Sequence, residues 1–160
     1  MVDVVSTRVK KLVLGVGNPI LTDDGVGIFV ARELKKLNLP GVEIEELPAS
    51  GLELLDMVVG YDKVIIVDAI RTKGGAPGDF YTLTEDDFIR SVHGASPHGI
   101  NIPTALAMGR RIVPEKMPSE LIFVAVEVED IENVSDKMTP KVAKAVPRIV
   151  EFVAERLKSR

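Results

Sequence analysis

The chain contains no cysteine, and this absence removes several kinds of chemistry at once. Disulfide bonds, thiolate nucleophiles and sites in which cysteine binds zinc or an iron–sulfur cluster are all excluded. The side chains left for catalysis are carboxylates, hydroxyls and two histidines. Any catalytic centre must therefore be built from these groups.

Aromatic rings and basic clusters are also scarce. The chain has no tryptophan, two tyrosines and five phenylalanines, and its formal net charge is -4, with lysine and arginine scattered along the sequence. We expect no nucleic-acid partner, because such binding uses a basic stripe and stacking rings. No apolar run is long enough to span a bilayer, and the first residues show no signal-peptide pattern. We therefore expect no membrane insertion and a cytoplasmic location.

The length and the hydrophobic pattern predict one α/β domain spanning residues 1–160. A chain of 160 residues with 46% apolar residues is the size of a single domain. Strands are predicted at 9–16, 42–47, 63–70, 79–83 and 121–128. Helices are predicted at 26–37, 50–59, 104–113 and from Thr139 onward, and Thr84 can cap a further short helix. This alternation predicts a three-layer α/β/α fold with a mostly parallel, twisted sheet of about five strands.

The first predicted strand leads into GVGNPILTDDGVG, residues 15–27. The segment lacks the third glycine of a dinucleotide-binding fingerprint, since Ile20 stands at that position. Asp23 and Asp24 would also repel a phosphate at the start of the following helix, so a nucleotide site is not expected. Two interpretations of these acids remain, because they could complement the helix dipole or take part in a functional site.

Two further residues could join these acids. Asp68 interrupts an apolar strand near its end, and His98 lies with His93 in a predicted surface loop at 91–103. The alternative to a functional role is a structural one, in which Asp68 is an acid at a turn and His98 is an exposed loop residue. Because the first and third strands are expected to be neighbours, Asp24 and Asp68 can converge at one end of the sheet. Two carboxylates and one imidazole can form an open site for a divalent transition metal.

The order of these motifs resembles that of the hydrogenase maturation endopeptidases, which process the large subunit of nickel–iron hydrogenases. The motifs are GVGNPILTDDGVG (15–27), ASGLELL (49–55), VIIVDAI (64–70), APGDF (76–80) and SPHG (96–99). In that family the metal is contacted by an acid of the first motif, the aspartate of the third strand and a loop histidine. The resemblance assigns these positions to Asp24, Asp68 and His98.

The resemblance implies an endopeptidase that removes a short C-terminal extension from the large-subunit precursor after nickel insertion. The nickel would be supplied by the substrate, so we expect no tightly bound cofactor of the protein's own, and we expect a monomer. Our hypothesis adds Asp23 to the catalytic residues as an acid that orients the attacking water. Two alternatives remain open: a maturation chaperone that binds the metallated precursor without cutting it, and a peptidase of the related fold that acts on spore proteins.

Two structural expectations accompany this hypothesis. Asp24, Asp68 and His98 should lie outside the core, so that alanine at each position would abolish processing while leaving the fold intact. Gly17 should occupy a backbone conformation that is open mainly to glycine.

Overall fold

Strands and helices alternate along the chain, as the hydrophobic pattern predicts. The computed structural model describes residues 8–48, 52–91 and 101–158. The strands are β1 Lys11–Val16, β2 Val42–Leu47, β3 Lys63–Ile70, β4 Phe80–Thr84 and β5 Glu120–Glu127. The α-helices are α1 Val26–Lys35, α2 Glu53–Val58, α3 Glu85–Ser91, α4 Asn101–Ile112 and α5 Pro140–Lys158, with 3₁₀ turns at Thr22–Gly25 and Pro114–Lys116.

The strands form one sheet in the order β2-β1-β3-β5-β4. Strand β1 pairs in parallel with β2 and β3, β3 pairs in parallel with β5, and β4 runs antiparallel to β5 at the edge. The prediction of a mostly parallel five-stranded sheet is therefore confirmed. The carboxyl ends of β1, β3 and β5 lie together at one edge, where parallel sheets usually hold their functional groups.

Apolar side chains cover both faces of the sheet, which gives the three predicted layers. One core joins the sheet to α1 and α5, and the other joins it to α2, α3 and α4. All eight residues of β3 are buried, as a central strand with two covered faces requires. Strand β2 alternates between partly buried and exposed residues over most of its length, which fits its place at the sheet edge.

In the α3–α4 region, the predicted cap of α3 is confirmed and the predicted extent of the following loop is wrong. The backbone N–H of Asp87 donates to Thr84 Oγ1 over 3.1 Å, and Thr84 N–H donates to Asp87 Oδ2 over 3.3 Å, so the predicted cap of α3 is present. The predicted loop at 91–103 extends too far, since α4 already begins at Asn101. Pro103 is accommodated because the first turn of a helix has no intrahelical partner for its N–H groups.

Within the described ranges, no helix combines the length and the apolar content that crossing a bilayer requires. The predicted helix at 50–59 is present from Glu53 to Val58, while Ser50, its predicted cap, lies outside the described residues.

Glycines bring the start of α1 into backbone contact with the sheet. A Cβ atom on Gly27 would lie 2.3 Å from the carbonyl oxygen of Val67 and 2.5 Å from that of Val16. A Cβ atom on Gly17 would lie 2.0 Å from the carbonyl oxygen of Asp24. Gly17 also has a φ of +149°, which confirms the expectation that this position favours glycine. No side chain fits between the loop that carries Asp24 and the ends of β1 and β3.

We predict that Gly17→Val lowers the free energy of unfolding by at least about 3 kcal/mol, because the side chain meets backbone atoms that cannot move independently. Urea denaturation measures the loss. Gly41→Ala is the matched control: Gly41 has a φ of +73° but nothing within 4 Å of its added Cβ, so it should cost only about 1 kcal/mol. Equal costs for the two substitutions would contradict the packing account.

Candidate active site

Asp24 and Asp68 lie at the carboxyl edge of the sheet, on two segments that are distant in the sequence and adjacent in the fold. Asp24 belongs to the 3₁₀ turn that follows β1, and this turn packs against β3. Asp68 belongs to β3 itself, one residue after the position that pairs with Gly15 of β1. The contact of Gly27 with the carbonyl of Val67 holds the start of α1, directly after this turn, close to β3. The predicted convergence of the two segments is therefore observed.

Both carboxylates are nearly inaccessible to solvent. Asp24 is 2% exposed and Asp68 is 1% exposed. Asp24 Oδ2 accepts a hydrogen bond from the backbone N–H of Asn18 over 3.1 Å, and Asp68 Oδ1 accepts one from Ala69 N–H over 2.8 Å. The expectation that these acids lie outside the core is wrong, because close packing of α1 on the sheet encloses them. Alanine at either position would leave a buried donor without its acceptor, so asparagine is the better substitution.

The third predicted contact residue, His98, lies outside the described residues, as does His93. Across residues 8–48, 52–91 and 101–158, no three acidic or histidine side chains are grouped closely enough to hold a metal ion. Asp24 and Asp68 supply carboxylate oxygen atoms, which bind hard and borderline divalent cations.

Asp23 is fully buried, and its carboxylate binds the connection between β5 and α5. Its Oδ2 atom accepts hydrogen bonds from the backbone N–H groups of Glu129 and Asp130, both over 3.0 Å, and from Thr139 Oγ1 over 2.7 Å. Its Oδ1 atom accepts a fourth bond, from Thr139 N–H over 2.7 Å. These four bonds anchor residues 129–139, which we call the strap, to the turn that carries Asp24.

The strap and the turn bind each other in both directions. Asp23 N–H donates to the carbonyl of Asp130 over 2.8 Å, and a short parallel bridge pairs Leu21 with Ser135. Within the strap, the Asp130 carboxylate accepts bonds from the side chain and backbone of Asn133 and from the backbone of Glu132, and these bonds hold the pKa of Asp130 below its usual value. The strap therefore supports the segment on which Asp24 lies.

The hydrogen bonds of Asp23 give it a structural task, which is to hold the strap against the turn. The hypothesis that Asp23 orients the attacking water stays a prediction. All four contacts come from residues more than one hundred positions away in the sequence. No local signal near Asp23 could have revealed them.

Glu127 is a further buried acid at this edge that the sequence reasoning missed. It is 1% exposed, and its two oxygen atoms accept bonds from Thr72, one from the backbone N–H over 3.2 Å and one from the hydroxyl. Glu127 is a charged residue at the end of an apolar strand, and Asp68 is a charged residue within one. This sequence feature could have identified Glu127 as a buried acid at the same edge. Its bonds hold the connection between β3 and β4 against the end of β5.

The sequence matches the model of a known protein family. The model of the family described as hydrogenase maturation protease matches residues 28–156. The hydrogenase 2 maturation protease of Escherichia coli strain K12 is 33% identical over 155 residues, which cover 93% of this chain and 91% of that protein. Protein FrxA of Pyrococcus furiosus is 30% identical over 133 residues, covering 82% of this chain and 93% of that protein.

The fold matches solved structures as well. The hydrogenase maturating endopeptidase HybD of E. coli aligns with a TM-score of 0.77 at 30% identity, over 93% of this chain and 92% of that one. The HybD hydrogenase maturation protease of Thermococcus kodakarensis aligns with a TM-score of 0.76 at 21% identity, over 92% of this chain and 98% of that one. This second structure shares the fold.

We predict that Asp23→Asn lowers the free energy of unfolding by about 2–3 kcal/mol, because an amide NH₂ group would face backbone N–H donors in place of an acceptor. Urea denaturation measures the change. Asp136→Asn is the control, since Asp136 is an exposed acid on the same strap, and it should change stability by less than about 0.5 kcal/mol. Unchanged stability of Asp23→Asn would show that the four bonds do not hold the strap.

Proposed function

The chain belongs to the hydrogenase maturation protease family and is a peptidase, and we propose that it removes a short C-terminal extension from a hydrogenase large-subunit precursor. The substrate in this proposal is the nickel-loaded precursor of a nickel–iron hydrogenase. The nickel ion belongs to that substrate and serves as the signal that the precursor is ready to be cut.

The observation that carries the proposal is the enforced proximity of the Asp24 turn and the end of β3. Gly27 lies in α1 directly after that turn, and its backbone contact with Val67 leaves no room for a side chain between α1 and β3. Asp24 and Asp68 are both held by backbone N–H donors, so each carboxylate has a fixed orientation. Oxygen donors with a fixed orientation can recognise a cation by its position.

The proposed recognition uses the carboxylates of Asp24 and Asp68 together with the imidazole of His98. These groups would complete the coordination of the nickel that the precursor already holds. A cation bound in this way can polarise the scissile carbonyl or lower the pKa of a bound water, and either effect promotes peptide hydrolysis. A protein without a metal of its own would then cut only a metallated partner.

We also propose where the protein acts, its oligomeric state and whether it holds a cofactor. We place the reaction in the cytoplasm, with the peptidase acting as a monomer and holding no tightly bound cofactor between turnovers. Size-exclusion chromatography with light scattering tests the oligomeric state, and metal analysis of the purified protein tests the absence of a resident metal.

We predict that the protein shortens the nickel-loaded precursor and leaves the nickel-free precursor at full length. Intact-mass spectrometry of the large subunit measures the loss of the C-terminal peptide. Casein is the control for general proteolysis, and we expect it to stay intact. Shortening of both precursor forms would contradict metal recognition, and binding of the nickel-loaded form without loss of mass would favour the non-cutting chaperone.

We predict that Asp24→Asn, Asp68→Asn and His98→Ala each slow processing of the nickel-loaded precursor by at least about a hundredfold, because each removes a contact to the substrate's cation. The rate of mass loss measures the effect, and thermal unfolding checks that each variant is folded. Glu132→Gln is the matched control, because Glu132 is an exposed acid on the strap. Normal processing by any of the three folded variants would remove that residue from the proposed contact set.

A further inference from the structure

A row of residues crosses the sheet at the level of Asp68 and ends at an exposed tyrosine. Asp68 of β3 pairs with Ala125 of β5, and Ala125 pairs with Tyr81 of the edge strand β4. Directly paired residues on adjacent strands point to the same face of a sheet. Asp68, Ala125 and Tyr81 therefore lie side by side on one face.

The burial of these residues changes sharply along the row. Asp68 and Ala125 are each 1% exposed, whereas Tyr81 is 41% exposed. Two strand spacings separate the backbones of Asp68 and Tyr81, which is about 10 Å. Only the methyl group of Ala125 lies between them in this row. Tyr81 is thus an exposed side chain within a short distance of the candidate site, and no large side chain in the row separates it from Asp68.

The hydroxyl of Tyr81 is protonated at neutral pH, as is usual for a tyrosine. Partial desolvation by the surrounding protein raises its pKa further, and the nearby carboxylates of Glu127 and Asp79 add to this effect. The Glu127 carboxylate is itself held by Thr72. Tyr81 therefore presents an aromatic ring and an O–H donor at neutral pH, a combination that is common where proteins contact polypeptide partners.

We propose that Tyr81 contacts the hydrogenase large-subunit precursor on the β4 side of Asp68 and contributes to its affinity. The ring packs against the precursor, and the hydroxyl donates a hydrogen bond to it. This inference rests on the proposed function. It assigns to Tyr81 a part in substrate binding and no part in bond cleavage.

The test compares three variants of the complete chain. Tyr81→Ala removes the ring and the hydroxyl, and Tyr81→Phe removes the hydroxyl alone. Thr82→Ala is the matched control, because Thr82 is exposed on the same edge strand but pairs with Val124, whose side chain belongs to the opposite face. The measured quantities are KM and kcat for the nickel-loaded precursor, its Kd for each variant, and the midpoint of thermal unfolding.

We expect Tyr81→Ala to raise KM and Kd by at least about fivefold with kcat unchanged, since the lost contact acts in binding. Tyr81→Phe should give a smaller increase, and Thr82→Ala should match the unsubstituted protein. An unchanged KM and Kd for Tyr81→Ala would overturn the inference. A fall in kcat together with a lower midpoint of thermal unfolding would also overturn it, because the residue would then have a structural role.

The outcomes separate this inference from the proposed function. If the unsubstituted protein binds the precursor but does not cut it, the proposed reaction fails, and a weaker Kd for Tyr81→Ala still supports the contact. If the unsubstituted protein neither binds nor cuts the precursor, both proposals are overturned.

Discussion

The close backbone contact between the start of α1 and the ends of β1 and β3 is the constraint on which the candidate site depends. Gly17 and Gly27 make the contact possible, because any larger residue would place a Cβ atom against a carbonyl oxygen. The contact draws the Asp24 turn onto the sheet and encloses Asp24 beside β3. Adding one methyl group at either glycine would therefore affect both the stability of the fold and the position of a candidate site residue.

The strap adds a second constraint from the far end of the sequence. Four hydrogen bonds to Asp23 hold residues 129–139 against the turn, so the Asp24 segment is supported by the sheet and by the strap. Asp23 and Asp24 are adjacent and chemically identical, yet the Asp23 carboxylate binds the strap, while the Asp24 carboxylate accepts a hydrogen bond from the backbone N–H of Asn18. Two adjacent acids at the start of a helix can thus have separate tasks, which depend on the partners that each one faces.

The sequence predicted the layers, the sheet and the pairing of its central strands, because these follow from hydrophobic patterns that repeat over many residues. It also made Asp68 a candidate site residue, since a charged residue in an apolar strand is a local anomaly, and the role of Asp68 stays a prediction. It did not reveal the bonds of Asp23, whose partners are distant in the chain, or the burial of Asp24, which follows from glycine packing. The start of α4 was missed because Pro103 suits both a loop and a first helical turn.

The most direct test of the central claim is X-ray absorption spectroscopy of the nickel-loaded precursor, alone and in complex with this protein, frozen before cleavage. We expect the nickel to gain oxygen ligands from Asp24 and Asp68 in the complex, and we expect the double variant Asp24→Asn/Asp68→Asn to weaken this gain. A complex that forms and leaves the nickel ligands unchanged would contradict the claim that these carboxylates contact the substrate's metal.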